Sequence, residues 1–256
     1  MAKKNYLTPL EQEVWRYISE KEIVDNQLLK SIFPEMHPAK RNKILYHLAR
    51  KRYLHRAQKD LYFNPLTLQN YYQLAQRIKE GYIGLGSALH YYNLLDYEDF
   101  TIYIITKNYR KKRILMGTQY TLEFIPLGKL YNGFEQRDGL YFSSLEKTLV
   151  DCLQKPRLVG FSVLTKALHD AHPNWHKFIG FCKQIKTTSF HQRTGYLLDL
   201  LKTKTKMPVP EFIFEFLLQK VKHPVKLVPD KAISIFNHKW KIQDNLGERH
   251  LLSWWI

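Results

Sequence analysis

Pro34 and Pro38 stand four residues apart, and no helix runs through that pair. Each ring removes a backbone donor and clashes with the preceding turn, so proline sits comfortably only in a helix's first turn. A helix before residue 34 must therefore stop there, and the next can begin at Pro38. Upstream, "TPLEQEVWRYISE" carries its own start signal: Thr8, then Pro9, then Glu11 three residues after Thr8. This spacing predicts a capping box, in which the Thr hydroxyl takes an orphan N–H and the Glu reaches back to the cap. Leu10, Val14, Tyr17 and Ile18 would line that helix's inner face. In "VDNQLLKSIFP", Asp25 predicts the cap of a second, short helix holding Leu28, Leu29, Ile32 and Phe33. A third helix is predicted from Pro38 to about Arg52, with Ile44, Leu45, Leu48 and Ala49 as its apolar stripe. "YLHRAQKDLYFN" then reads as two short antiparallel strands around "AQKD".

Three short helices and a hairpin predict a winged helix-turn-helix over residues 1–66, in which the last helix enters the major groove. Charge agrees with that reading. From His37 to Lys59 the chain carries eight Lys/Arg and no acid: Lys40, Arg41, Lys43, Arg50, Lys51, Arg52, Arg56 and Lys59. Acids gather instead on the first helix and just after it, at Glu11, Glu13, Glu20 and Glu22. The predicted DNA-binding residues are Lys40, Arg41, Asn42, Lys43, His47, Arg50 and Lys51 on the helix, and Arg56 and Lys59 on the wing. The lysines and the wing would neutralise phosphate and release counterions. Arg41 and Arg50 would contact guanine bidentately, and Asn42 would contact adenine. A solvated helix, or a winged helix serving protein contacts, are the alternatives.

The whole chain is basic, with net charge +17 over 256 residues, which points to a polyanionic partner. Residues 1–65 hold 13 Lys/Arg against 7 Asp/Glu, or +6, which leaves +11 for the rest. Charge by itself therefore does not locate the site. No apolar run approaches the roughly 18–20 residues of a membrane span, and the N-terminus lacks a signal-peptide core, so a cytoplasmic protein with no membrane partner is expected. Cys152 and Cys182 form no C-x-x-C pair and read as small buried residues rather than a disulfide or zinc site.

A larger mixed α/β domain is expected over 67–256, making the fold class α+β. "DFTIYIITKNYRKKRILMGTQYTLEFIPL" alternates like strands, and its turn "KNYRKKR" offers a second basic patch: Lys107, Arg110, Lys111, Lys112 and Arg113. That patch is a second nucleic-acid contact, a solvated hairpin tip, or a contact for an acidic protein. Three motifs point to chemistry and fall short of it. Gly81, Gly84 and Gly86 have the spacing G-x-x-G-x-G, not that of a phosphate-binding loop, and read as a turn. Ser144-x-x-Lys147 matches one motif of penicillin-recognising enzymes without its companions, and Ser143 with Glu146 reads as a capping box. His169, His172 and His176 would share a helix face only if Pro173 did not break it. No metal, no cofactor and no catalytic residue is expected.

The order of "SALHYYNLL", the strand pair ending "EFIPL", "YFSSLEKTLVDCL", "QRTGYLLDLL" and "HKWKIQDN" resembles the AbiEi family. These are the antitoxins and transcriptional regulators of type IV toxin–antitoxin systems, linked to phage defence. The resemblance covers most of the chain. It implies a repressor that binds inverted repeats in double-stranded DNA at its own promoter. It also implies an antitoxin acting against a nucleotidyltransferase-like toxin, without a stable complex. Polar His191 and Gln192 before the "RTGYLL" match, and the aromatic terminus "HLLSWWI", depart from the pattern; the terminus would pack as core or form an oligomer contact. Two other readings stay open: a nuclease targeted by the winged helix, and a ligand-sensing regulator without a toxin.

Overall fold

The computed structural model describes residues 6–97, 100–229, 232 and 235–255. In chain order the elements begin with α1 (Pro9–Ile18), β1 (Ile23–Asp25), α2 (Asn26–Ile32), α3 (Pro38–Arg50), β2 (His55–Gln58), β3 (Leu61–Phe63) and α4 (Tyr71–Ile78). There follow β4 (Tyr82–Ile83), α5 (Leu85–Tyr91), β5 (Thr101–Thr106), β6 (Lys111–Ile114), β7 (Thr121–Pro126), β8 (Phe134–Arg137) and β9 (Leu140–Ser143). The chain then runs through α6 (Leu145–Gln154), α7 (Pro156–Val159), α8 (Phe161–Asp170), α9 (Trp175–Lys183), α10 (Thr188–Thr205) and α11 (Glu211–Leu218). It ends with β10 (Val225–Lys226), β11 (Ile235–Asn237), β12 (Ile242–Asp244) and α12 (Glu248–Leu251). The fold is mixed α+β. Among the described residues, no helix is long and apolar enough to cross a membrane.

The described chain packs as two units, residues 6–81 with 100–125 and residues 82–97 with 126–255. The boundary expected at 66/67 does not coincide with them. The reason is polar: Glu22 Oε2 accepts from the Gln69 and Asn70 amides at 3.0 and 2.8 Å, and Arg77 pairs with Asp25. These bonds tie α4 to the elements before it. The Tyr120 ring stacks on Tyr71 at 3.8 Å, which ties in the β6–β7 hairpin as well.

The first unit's helices form as the punctuation dictates. Thr8 and Glu11 make the capping box, and Asp25 Oδ1 accepts from Leu28 N at 2.8 Å to start α2. Pro38 opens α3. Val14, Ile18, Leu29, Ile44, Leu45 and Leu48 close a core with Val24, Leu54 and Tyr62. Tyr17, expected inside, is 56% exposed and packs edge-on against Phe33. Helix α3 stops at Arg50 because Arg52 takes a left-handed backbone, φ 66°. Strand β3 lies between β1 and β2, and Gln58 pairs with Leu61 across a two-residue turn of Lys59 and Asp60. In the same unit, β7 lies between β6 and β5.

In the second unit α6 is buried along nearly its whole length, from Glu146 to Leu153. Its cap is Ser144, not Ser143. The Ser143 hydroxyl is buried and hydrogen-bonds Thr148 Oγ1 at 2.7 Å, while Glu146 accepts instead from Asn174 N at 3.0 Å. A buried pair spans one turn of the helix, with Lys147 Nζ 2.6 Å from Asp151 Oδ1, and Tyr82 donates to the other carboxylate oxygen at 3.0 Å. Cys152 and Cys182 are both buried and unbridged, and burial pushes both thiols up. Pro173 does separate two helices, α8 and α9. At the C-terminus, Leu251 and Leu252 are core residues, and Trp254 Nε1 donates to Thr165 at 2.9 Å.

Candidate nucleic-acid interface

The cations on α3 divide into two groups that the sequence cannot tell apart. The first is used inside the unit. Arg41 is buried: its Nε donates to Asn26 Oδ1 at 2.8 Å and its Nη1 to the carbonyl oxygens of Met36 and Phe33. It secures the link between α2 and α3, so the guanine contact expected of it is corrected. Lys51 and His47 turn the other way, onto α1. Lys51 Nζ stands 2.5 Å from Glu11 Oε2 and His47 Nδ1 stands 3.1 Å from Glu11 Oε1. Both therefore partner a buried carboxylate, while His47 keeps 37% of its side chain exposed and Lys51 22%. Burial pushes the Glu11 carboxyl up, but the bonds from Lys51, Thr8 and His47 outweigh it and hold it down at about 2.

The second group faces solvent. Lys40, Lys43 and Arg50 are exposed, and so is Tyr46, at 54%. Lys43, Tyr46 and Arg50 are spaced three and four residues apart, which places them on one helix face. Asn42 is exposed too, yet its Oδ1 already accepts from Asn26 Nδ2. A two-point contact with adenine would require that bond to open. Tyr46 was absent from the sequence-derived set, although its spacing from Lys43 and Arg50 is a readable signal.

On the hairpin, Arg56 and Lys59 are exposed as expected. Arg56 Nε donates to Gln58 O at 3.1 Å, across an irregularity in the β2–β3 pairing, and Asp60 adopts a left-handed turn conformation, φ 59°. His55 carries no charge to the surface here: burial and the nearby Arg52 push its pKa down.

The second basic patch belongs to the same unit as α3. Lys107 and Arg110 lie in the β5–β6 turn, but Lys111, Lys112 and Arg113 lie on β6, an edge strand paired with β7. Lys112 Nζ sits 3.6 Å from Glu123 on that neighbour. Charged residues on an edge strand guard it against pairing with another chain, which accounts for this run without a ligand.

The other sequence motifs resolve structurally. No room exists for a Cβ at Gly81, where it would stand 2.4 Å from Ile105 O. His169 pairs with Asp170 and lies against Trp254 and Trp255, while His176 stacks on Phe212. Among the described residues no group of three His, Cys, Asp or Glu side chains is placed to hold a metal ion.

No family model matches the chain, and none of the curated proteins is a significant match. A crystal structure of the Rv2827c protein from Mycobacterium tuberculosis is similar in fold. Its TM-score is 0.62 at 18% identity, over 93% of this chain and 92% of that one.

Proposed function

We propose that this chain is a DNA-binding transcriptional repressor whose N-terminal elements act as a winged helix-turn-helix, with α3 in the major groove and the β2–β3 hairpin as the wing. The observation that carries the reading is the exposed row Lys40, Lys43, Tyr46 and Arg50, on a helix whose remaining cations are consumed internally. The element order supports it: a helix, a strand, two helices and two strands, with β1 paired to β3. In this reading Lys40, Lys43 and Lys59 neutralise phosphate, Arg50 reads a guanine edge, and Tyr46 packs against sugar or a thymine methyl.

We extend the proposal to autorepression and antitoxin action against a nucleotidyltransferase-like toxin. The support is the ordered series of AbiEi-like motifs, and an antitoxin of that kind works without catalysis of its own.

Fluorescence anisotropy with the protein's own upstream DNA, against a scrambled duplex, tests the first part. Lys43→Glu/Arg50→Glu is expected to abolish sequence-selective binding and to flatten the plot of log K against log salt by roughly two charges' worth. Weak, equal binding to both duplexes that the double variant leaves untouched would sink the repressor. Co-expression with a neighbouring nucleotidyltransferase gene tests the second part; growth arrest that this chain fails to relieve would remove the antitoxin half alone.

A further inference from the structure

In the second unit β9 lies between β4 and β8, and β8 closes the strand order. Asp138 and Gly139, left-handed at φ 50° and 78°, make the two-residue turn from β8 into β9. Ser144 N donates to Gly133 O at 2.9 Å, and the antiparallel register alternates from that pair. Gly133, Glu135 and Arg137 therefore turn their backbone groups toward β9, while Phe134 and Gln136 turn theirs outward. Among the described residues no strand pairs with that outer edge, and Glu135, Gln136 and Arg137 are all exposed.

We propose that β8 pairs antiparallel with β8 of a second copy of this chain, about a two-fold axis through Gln136. The outward amides admit only Phe134 or Gln136 on such an axis. With Gln136 there, each Gln136 N–H donates to the other's C=O, and Glu135 stands opposite the partner's Arg137 on both sides. With Phe134 there, Glu135 would face Gly133 and the charges would go unmatched. Arg137 Nη2 already lies 2.9 Å from Glu135 Oε2 of its own chain, and the guanidinium has further N–H groups to offer the partner's carboxylate. A run Glu-x-Arg complements its own reverse, which singles out a second copy as the occupant. The edge strand β6 fails the same test: an axis through Lys112 sets Lys111 opposite Arg113 and Lys112 opposite itself. A cavity of about 430 Å³, lined by Phe134, Glu135, Lys177 and Phe181 among others, lies at one end of the β8 edge. The Gln136 register sets the partner's Asp138 opposite Phe134, which brings an acidic turn to this cavity, where Lys177 supplies the opposite charge. The strand pair is short, so a reversible dimer of roughly micromolar or weaker affinity is expected. This inference does not depend on the DNA reading; together, the two would match a two-fold dimer to inverted repeats.

Sedimentation equilibrium of the full chain without DNA, from micromolar to millimolar concentration, tests this. The wild type is expected to dimerise reversibly. Gln136→Pro removes an N–H that β9 does not use, and should weaken dimerisation about tenfold or more. Glu135→Arg alone, or Arg137→Glu alone, sets like charges opposite each other and should be monomeric. Mixed in equal amounts, these two variants should form a heterodimer, because each charge then meets its opposite. Arg137 also lies over the rings of Tyr91 and Tyr92, at 6.0 and 5.8 Å, so melting curves check that each variant folds. Lys43→Glu/Arg50→Glu should leave dimerisation unchanged, so failure of the dimer and failure of the repressor are read separately. A wild type that stays monomeric, a dimer unmoved by Gln136→Pro and both charge reversals, or a mixture without heterodimer would overturn the proposal.

Discussion

The indole of Trp240 lies directly against the backbone of Gly195: a Cβ at position 195 would stand 2.0 Å from its Cζ3 atom. Trp240 is fully buried, and its Nε1 donates to Asp199 Oδ2 at 3.0 Å, one turn further along α10. Gln192 Nε2 donates to Trp240 O at 3.0 Å and to His223 O at 2.8 Å, and Tyr196 donates to Asp244 at 2.8 Å. The "QRTGY" run is thus one clamp, holding α10 to the β10–β12–β11 sheet. In a helix Gly→Ala ordinarily gains about 1 kcal/mol. Here the indole has nowhere to go, so Gly195→Ala is expected to destabilise by about 1–3 kcal/mol or more. Thermal unfolding checks this, and Trp240→Leu in the same chain should recover part of the loss.

Arg41 and Lys43 are neighbours in sequence with opposite duties. Arg41→Ala strips the Met36 and Phe33 carbonyls of a donor and is expected to cost about 2–4 kcal/mol of stability. Lys43→Ala should leave stability within about 0.5 kcal/mol and weaken DNA binding instead. Urea titrations run beside anisotropy would expose any exchange of these roles.

Glu11 makes the first unit acid-sensitive. Its carboxyl is held at about 2, below its ordinary value of 4.5, so its contribution is complete above pH 4.5 and is lost as pH falls toward 2. Trp15, on the same helix, reports on this unit. Glu11→Gln should lower its unfolding midpoint at pH 7 and flatten the acid limb. An unchanged acid limb would mean that the Lys51 and His47 contacts contribute nothing.

Asp151 behaves in the opposite sense. Burial pushes it up to about 6 from 3.8, although Lys147 and Tyr82 pull it down. The folded state then takes up the proton more readily than the unfolded chain, so this group's contribution rises as pH falls from about 6 toward 3.8. Lys147→Met leaves the buried carboxylate without its counter-charge and is expected to cost about 3–5 kcal/mol at pH 7, and less at pH 5. Asp151→Asn should remove that pH dependence, as read by urea midpoints at the two pH values.

The charged edge of β6 predicts a solution property. Lys111→Thr/Arg113→Thr, beside the exposed Ile114 and Met116, should promote self-association detectable by light scattering. Should the same variant also reduce the salt slope of DNA binding, the strand would serve the interface as well as guard the edge.

Local chemistry was legible in the sequence. Thr8, Asp25, Pro38 and Pro173 mark helix ends because capping and proline geometry act within a few residues, and those ends stand where the spacing puts them. The inward stripe of α3 was legible for the same reason, since it depends only on the helical period. What the sequence could not rank was cations of equal charge. Arg41, Lys43 and Lys51 look alike in a string, and only the packing of α1 and α2 against α3 decides that the first and last are used internally while Lys43 is left to solvent. The same holds for long-range closure. Glu22 holding α4, Gly195 seating Trp240 and Arg193 turned onto Lys226 O each join residues 30 or more positions apart. Such contacts have no period or local spacing to announce them, because they exist only once the burial of apolar faces has brought the segments together.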